Sequence, residues 1–128
     1  MSNTENTVIE EAIERPYTLR KLRDGDLMPV LSILRKVGLK EFKDAFTTMT
    51  EGKTAEEVGL NVILEMASIV VSNIPLAETE IYDLCSSLSG IDENKIREME
   101  FGTVPLMIYD AFGEVKNTAF FKVLSKLL

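Results

Sequence analysis

The stretch VGLNVILEMASIVVSNI (residues 58–74) constrains the fold of this 128-residue chain more than any other. On a helical wheel at ~100° per residue, its apolar side chains cover an arc of roughly 240°. Val62, Ile63, Met66, Ile69, Val70 and Ile74 are among them. Asn61, Glu65, Ser68 and Ser72 form a narrow polar strip. A helix apolar over so much of its circumference belongs in the middle of a domain, with other helices packed on most of its sides. It is too short, and too polar on that strip, to span a membrane, which takes ~20 mostly apolar residues.

The rest of the chain offers those neighbours. Asp24-Gly25-Asp26 reads as a turn with an N-cap, opening a helix that lines up Leu27, Val30, Leu31, Leu34 and Val37. Pro29 fits in its first turn, and Gly38 is placed to stop it. Leu39 to Phe46 follows as a second short helix. Thr54 and Glu57 supply a capping box for the central helix, and Asn73-Ile74-Pro75 ends it. Leu76 to Ser89 forms the next helix, with Ile81, Leu84, Cys85 and Leu88 inward and Gly90 past its end. Asp92 caps a short helix to Met99, and Thr103 caps another running to about Lys116. Thr118 to Leu128 (TAFFKVLSKLL) makes the last. The expected fold is all-α, a compact bundle of about six to seven short helices around the central one.

At the front, residues 1–15 are polar and acidic and read as a flexible N-terminal arm, leaving residues 16–128 as a single helical domain. A capping box at Thr7 and Glu10 would also allow a short docked helix within that arm. Pro16 marks the boundary, and Tyr17 to Arg23 reads either as a short edge strand or as an extended lead-in.

Composition bounds the function. The net charge of −7 repels nucleic acid phosphates and anionic membranes and favours basic or neutral partners, so neither nucleic acid nor membrane is expected. The lone Cys85 cannot form an intramolecular disulfide, and residues 1–15 lack the basic start and apolar run of a signal peptide. Both point to the cytoplasm. Histidine is absent, which removes the commonest general base and metal ligand together. Without a base beside it, Cys85 on an inner helix face reads as a small buried hydrophobe. Asp24-Gly25-Asp26 opens like a calcium loop, but Leu27 and Met28 stand where further oxygen ligands belong. A helix-turn-helix drawn over Ile91 to Lys116 would present Val104, Leu106, Met107, Ile108 and Phe112, which suit a core and not base edges. The basic residues Arg15, Arg20, Lys21 and Arg23 read as a solvated face. No catalytic residues, cofactor or metal site are expected, and an enzyme is the weakest class.

The last helix is the most informative surface. Phe120, Phe121, Val123, Leu124, Leu127 and Leu128 cover an arc of ~160°, with Lys122, Ser125 and Lys126 opposite. The whole arc can be core. Alternatively one flank packs on the domain while the other, including Phe121 and Leu128, stays available to a partner helix or an unfolded chain.

The segments YTLRKLRDGDLMPVL (residues 17–31) and ILRKVGLKEF (residues 33–42) resemble the tail assembly chaperones of long-tailed phages and prophages of Gram-positive bacteria. AETEIYDL (residues 77–84) with its SLSG ending, and the closing FFKVLSKLL, fit the same pattern. The resemblance covers residues 17–128 and rests on order and pattern, since the family carries no catalytic signature. It implies a small helical, non-enzymatic factor that is absent from the finished virion. Such a factor binds the long, aggregation-prone tape measure protein and keeps it soluble while tail tube subunits assemble. Many members are made in two lengths by a ribosomal frameshift, the longer form reaching the tail tube protein, and this chain would be the short form. The family transfers no client-site residues. On physical grounds the expected groove comes from the last two helices, through Met107, Phe112, Phe121, Leu124 and Leu128. A homo-oligomer stays open, because the central helix can be covered by the chain's own helices or in part by a second copy. The rivals are a helical structural subunit of the tail or head–tail connector, and a small regulatory adaptor.

Overall fold

The computed structural model describes residues 14–50, 65–115 and 118–119, with the backbone alone at residues 39, 41–43 and 45–50. Among these residues the chain is mostly helical and contains no strand. Tyr17 to Arg23 is the lead-in and not an edge strand. Its Arg20 N–H donates to the Leu88 carbonyl at 2.9 Å, near the end of a helix, so the segment has no second strand to pair with. A 3-10 turn over Asp24–Asp26 then enters α1 (Leu27–Thr50).

The first part of α1 buries Val30, Ile33, Leu34 and Val37, the i, i+3, i+4, i+7 spacing of one helix face. This corrects the expected face. Leu31 is 39% exposed, and Ile33 takes the inward position assigned to it. Gly38 breaks the helix as expected: at φ 117° and ψ 81° its backbone lies far from helical values. Few residues other than glycine adopt that conformation cheaply.

Helix α2 is described over residues 65–72. Met66, Ala67 and Val70 are buried while Glu65, Ser68 and Ser72 are exposed, so within this span the polar strip faces water. The chain then turns through a 3-10 segment at Ile74–Ala77, where Asn73 Nδ2 donates to the Ile69 carbonyl at 2.8 Å. Helix α3 (Glu78–Ser89) therefore begins two residues later than the apolar pattern suggests. Ile81, Cys85 and Leu88 point inward, with Leu84 partly buried beside them. Gly90 terminates α3 in the left-handed region at φ 74°, and its N–H donates to the Ser86 carbonyl at 2.8 Å.

Helix α4 (Glu93–Arg97) is capped as expected, Asp92 Oδ2 accepting the Asn94 N–H at 3.1 Å. Helix α5 (Thr103–Gly113) is shorter than expected and is not capped by Thr103. The Thr103 hydroxyl instead donates to the Glu100 carbonyl at 2.6 Å, closing the preceding turn. Helix α1 packs on α3 and on the turn at Ile74–Ala77, and α3 packs in turn on α4 and α5. Leu34, Met66, Val70, Ile81 and Met107 are the largest fully buried side chains where these elements meet. Residues 1–13 of the expected N-terminal arm, with the alternative short helix at Thr7–Glu10, the Thr54–Glu57 capping box, the front half of the central helix and residues 120–128 lie outside the described residues.

Two stability measurements check this packing. Ile81→Ala should cost about 2–5 kcal/mol in urea denaturation, whereas Leu31→Ala should cost under ~1 kcal/mol. Gly90→Ala meets no atom within 4 Å, so its expected cost of about 1–2 kcal/mol is purely backbone strain. Gly90→Asn should cost less than Gly90→Ala.

Candidate functional site

Two carboxylates hold the lead-in against the helices. Asp110, on α5, accepts a two-pronged contact from Arg15, Nε to Oδ2 at 3.1 Å and Nη2 to Oδ1 at 3.0 Å. The Tyr17 hydroxyl donates to the same Oδ2 at 2.6 Å. Burial of the ring, then the adjacent Asp110 carboxylate, raises the Tyr17 pKa above the usual phenol range. Asp26 receives Arg20 in the same forked geometry, at 2.8 and 2.9 Å, and also the Arg23 N–H at 2.8 Å. The Arg20 guanidinium donates as well to Ser87 Oγ at 2.7 Å, joining lead-in, turn and α3. Arg20 is the main cause that pulls the Asp26 pKa down to about 2, and the Arg23 N–H adds to it.

Arg15 and Arg20 are therefore not a solvated basic face, as their sequence clustering suggests, but ion-paired ties. Asp110 carried the available signal: a lone carboxylate within VPLMIYDAF, on a helix otherwise committed to the core, needs a partner. Its partners lie more than ninety positions away, beyond the reach of any periodicity.

The turn and the start of α1 form one wall of a mainly apolar groove of about 570 Å³. Leu22, Leu27 and Val30 line it on that side, and Val115 and Ala119 line it beyond the end of α5. Asp24 stands in the lining too. Large apolar side chains also face solvent elsewhere: Phe101 is fully exposed, Met28 72% exposed and Leu76 59% exposed.

Of the residues expected to make a client groove, Met107 and Phe112 belong to the core, at 1% and 8% exposure. They face inward from α5 together with Val104 and Ile108, so the face drawn above as a recognition helix is core. Phe121, Leu124 and Leu128 lie outside the described residues. Cys85 is buried in α3, and desolvation pushes its thiol pKa up to about 12. It is thus held as the unreactive thiol near neutral pH. Among the described residues no helix is long and apolar enough to cross a membrane, and no group of acidic or cysteine side chains is arranged to hold a metal ion.

The Asp26 pair has a defined pH signature. Because its folded pKa is depressed to about 2, the unfolded chain takes up a proton first as the pH falls. The pair's stabilisation is complete above the ordinary carboxylate range and is lost from roughly pH 4 downward. Unfolding free energies from urea denaturation of wild type and Asp26→Asn should differ by about 1–2 kcal/mol at pH 6 and converge towards pH 2. Asp110→Asn should raise amide exchange of residues 15–20 at least several-fold while leaving the core of α3 protected.

Comparison of the chain with protein-family models, with curated proteins and with solved structures finds no match.

Proposed function

We propose that this chain is a tail assembly chaperone of a long-tailed phage or prophage, which binds the tape measure protein and keeps it soluble until tail tube subunits enclose it. The observation that carries this reading is an acidic helical body that leaves large apolar side chains at its surface. Met28, Leu76 and Phe101 stand out in water, and a mainly apolar groove opens between the α1 entry and the end of α5, on a chain of net charge −7. Apolar patches on a soluble body mark sites for other polypeptides. A surplus of like charge keeps each copy soluble while those patches remain available. The order of segments in residues 17–42, 77–90 and 120–128 supplies the family, and with it the client.

The mechanism needs no bond made or broken. Apolar residues of the client, exposed before it is enclosed, bury area on the chaperone at roughly 25 cal/mol per Å². Several copies along one long client sum weak contacts into lasting protection. Client contact falls to Phe121, Leu124 and Leu128. Met107 and Phe112 serve instead as the packing that holds α5 in place. Partners would include the tail tube protein only through a longer frameshifted form, and the chaperone works in the host cytoplasm.

Co-expression tests this directly. Wild-type chain should keep the tape measure protein in the soluble fraction, and Phe121→Asp with Leu128→Asp should drop that fraction at least fivefold with the domain still folded by circular dichroism. A fully soluble client with the double variant would place the contact elsewhere. Mass spectrometry of purified particles should find no copy of the chain, whereas a stoichiometric amount would favour the structural-subunit alternative.

A further inference from the structure

We propose that the cleft beside Phe101 is a docking site for an arginine carried by a basic segment of another polypeptide. Phe101 stands just before α5 and is fully exposed. It lines an open cleft of about 320 Å³ together with Glu14, Pro16, Glu100 and Leu106. The charged side chains in that lining are both carboxylates, Glu14 and Glu100. The ion pairs of the described residues engage Asp26, Glu78, Glu80, Glu93 and Asp110, and neither Glu14 nor Glu100 is among them. The turn that presents the ring is fixed. The Glu100 carbonyl accepts the Thr103 N–H at 3.0 Å and the Thr103 hydroxyl at 2.6 Å, and Gly102 turns through the left-handed region at φ 96°.

Another corner of the same chain shows what such a set of groups holds. There the Arg97 guanidinium lies 4.0 Å from the Tyr82 ring centroid and reaches Glu78 at 3.1 Å and Glu93 at 3.2 Å. One ring and two carboxylates suit a guanidinium because its plane stacks on the ring while its N–H groups donate to the carboxylates. The Phe101 cleft offers the same set, a ring and two carboxylates, and among the described residues no arginine is seated on it.

Charge selects the occupant. Residues 1–13, adjacent to Glu14 in sequence, hold three glutamates and no lysine or arginine, so they carry the cleft's own sign. A second copy is repelled as a whole at net charge −7, as are nucleic acid and anionic membrane. A basic polypeptide segment is attracted. The cleft takes one or two large side chains, so the segment enters by its arginine, with an apolar neighbour against Pro16 and Leu106. This site does not rest on the client reading. Its binding is charge-guided and weakens with salt, whereas the client contact is apolar.

The experiment titrates the purified full-length chain, isotopically labelled for NMR, with a short synthetic peptide of alternating arginine and leucine. Amide signals should shift at Phe101, Gly102 and Leu106 and stay unmoved around Leu76, an exposed leucine outside the cleft. Phe101→Ala should weaken binding about fivefold or more, and Glu14→Gln with Glu100→Gln should do the same. Leu76→Ala should change it less than about twofold. All four positions are exposed, so the variants keep the fold. Lysine in place of arginine in the peptide should weaken binding about threefold, and raising salt from about 0.05 to 0.5 M about fivefold. Absence of binding, shifts centred away from the cleft, affinity unchanged in either cleft variant, or equal binding of a glutamate–leucine peptide would each overturn the proposal.

Discussion

The structure depends on one meeting point, where Leu34, Met66, Val70, Ile81 and Met107 exclude water from four helices at once. Helices of this length are marginal in water by themselves. Helix α4 has five residues and α5 eleven, so neither holds its shape through its own backbone bonds. They are helical because each inward side chain finds apolar partners from the others. Removing one large side chain from that point loses its transfer energy and leaves a cavity lined by all four elements.

Around this core, polar contacts fix how the non-helical stretches run. Asp110 and Asp26 draw Arg15, Tyr17 and Arg20 onto the helices and so set the path of the lead-in across α5 and α3. Arg97 does the same at the α3–α4 corner. Its guanidinium lies 4.0 Å from the Tyr82 ring centroid and reaches Glu78 at 3.1 Å and Glu93 at 3.2 Å. The Arg97 contacts are largely exposed and add little to stability, whereas Asp26 is buried and its pair counts for more. The path of the lead-in matters more than its energy, since Leu22 and the turn after it form a wall of the apolar groove.

Short-range chemistry was legible in the sequence, and long-range pairing was not. Gly38 and Gly90 could be placed because a helix stop needs a backbone conformation that glycine alone adopts freely. Asp92 could be placed because capping acts over two residues. The inward side of α3 followed from its period, and the buried thiol of Cys85 with it. Leu31 and Ile33 exchanged roles because two neighbouring registers of α1 are equally apolar, and only the partner helices choose between them. Thr103 does not cap its helix, because its hydroxyl can donate backwards to the Glu100 carbonyl as readily as accept forwards. Met107 and Phe112 are apolar whether they serve a core or a client, and the choice between those roles belongs to packing. The partners of Asp110 lay across the fold and left no trace in spacing.

The proposed function rests on apolar contact between an acidic helical chain and an aggregation-prone client. Isothermal titration calorimetry of the purified chain with a soluble segment of the tape measure protein tests that contact most directly, between 10 and 35 °C and from about 0.05 to 0.5 M salt. The account predicts a clearly negative heat-capacity change and an affinity that varies less than about threefold across the salt range. Absence of binding, or binding with no heat-capacity change that collapses as salt rises, would contradict it.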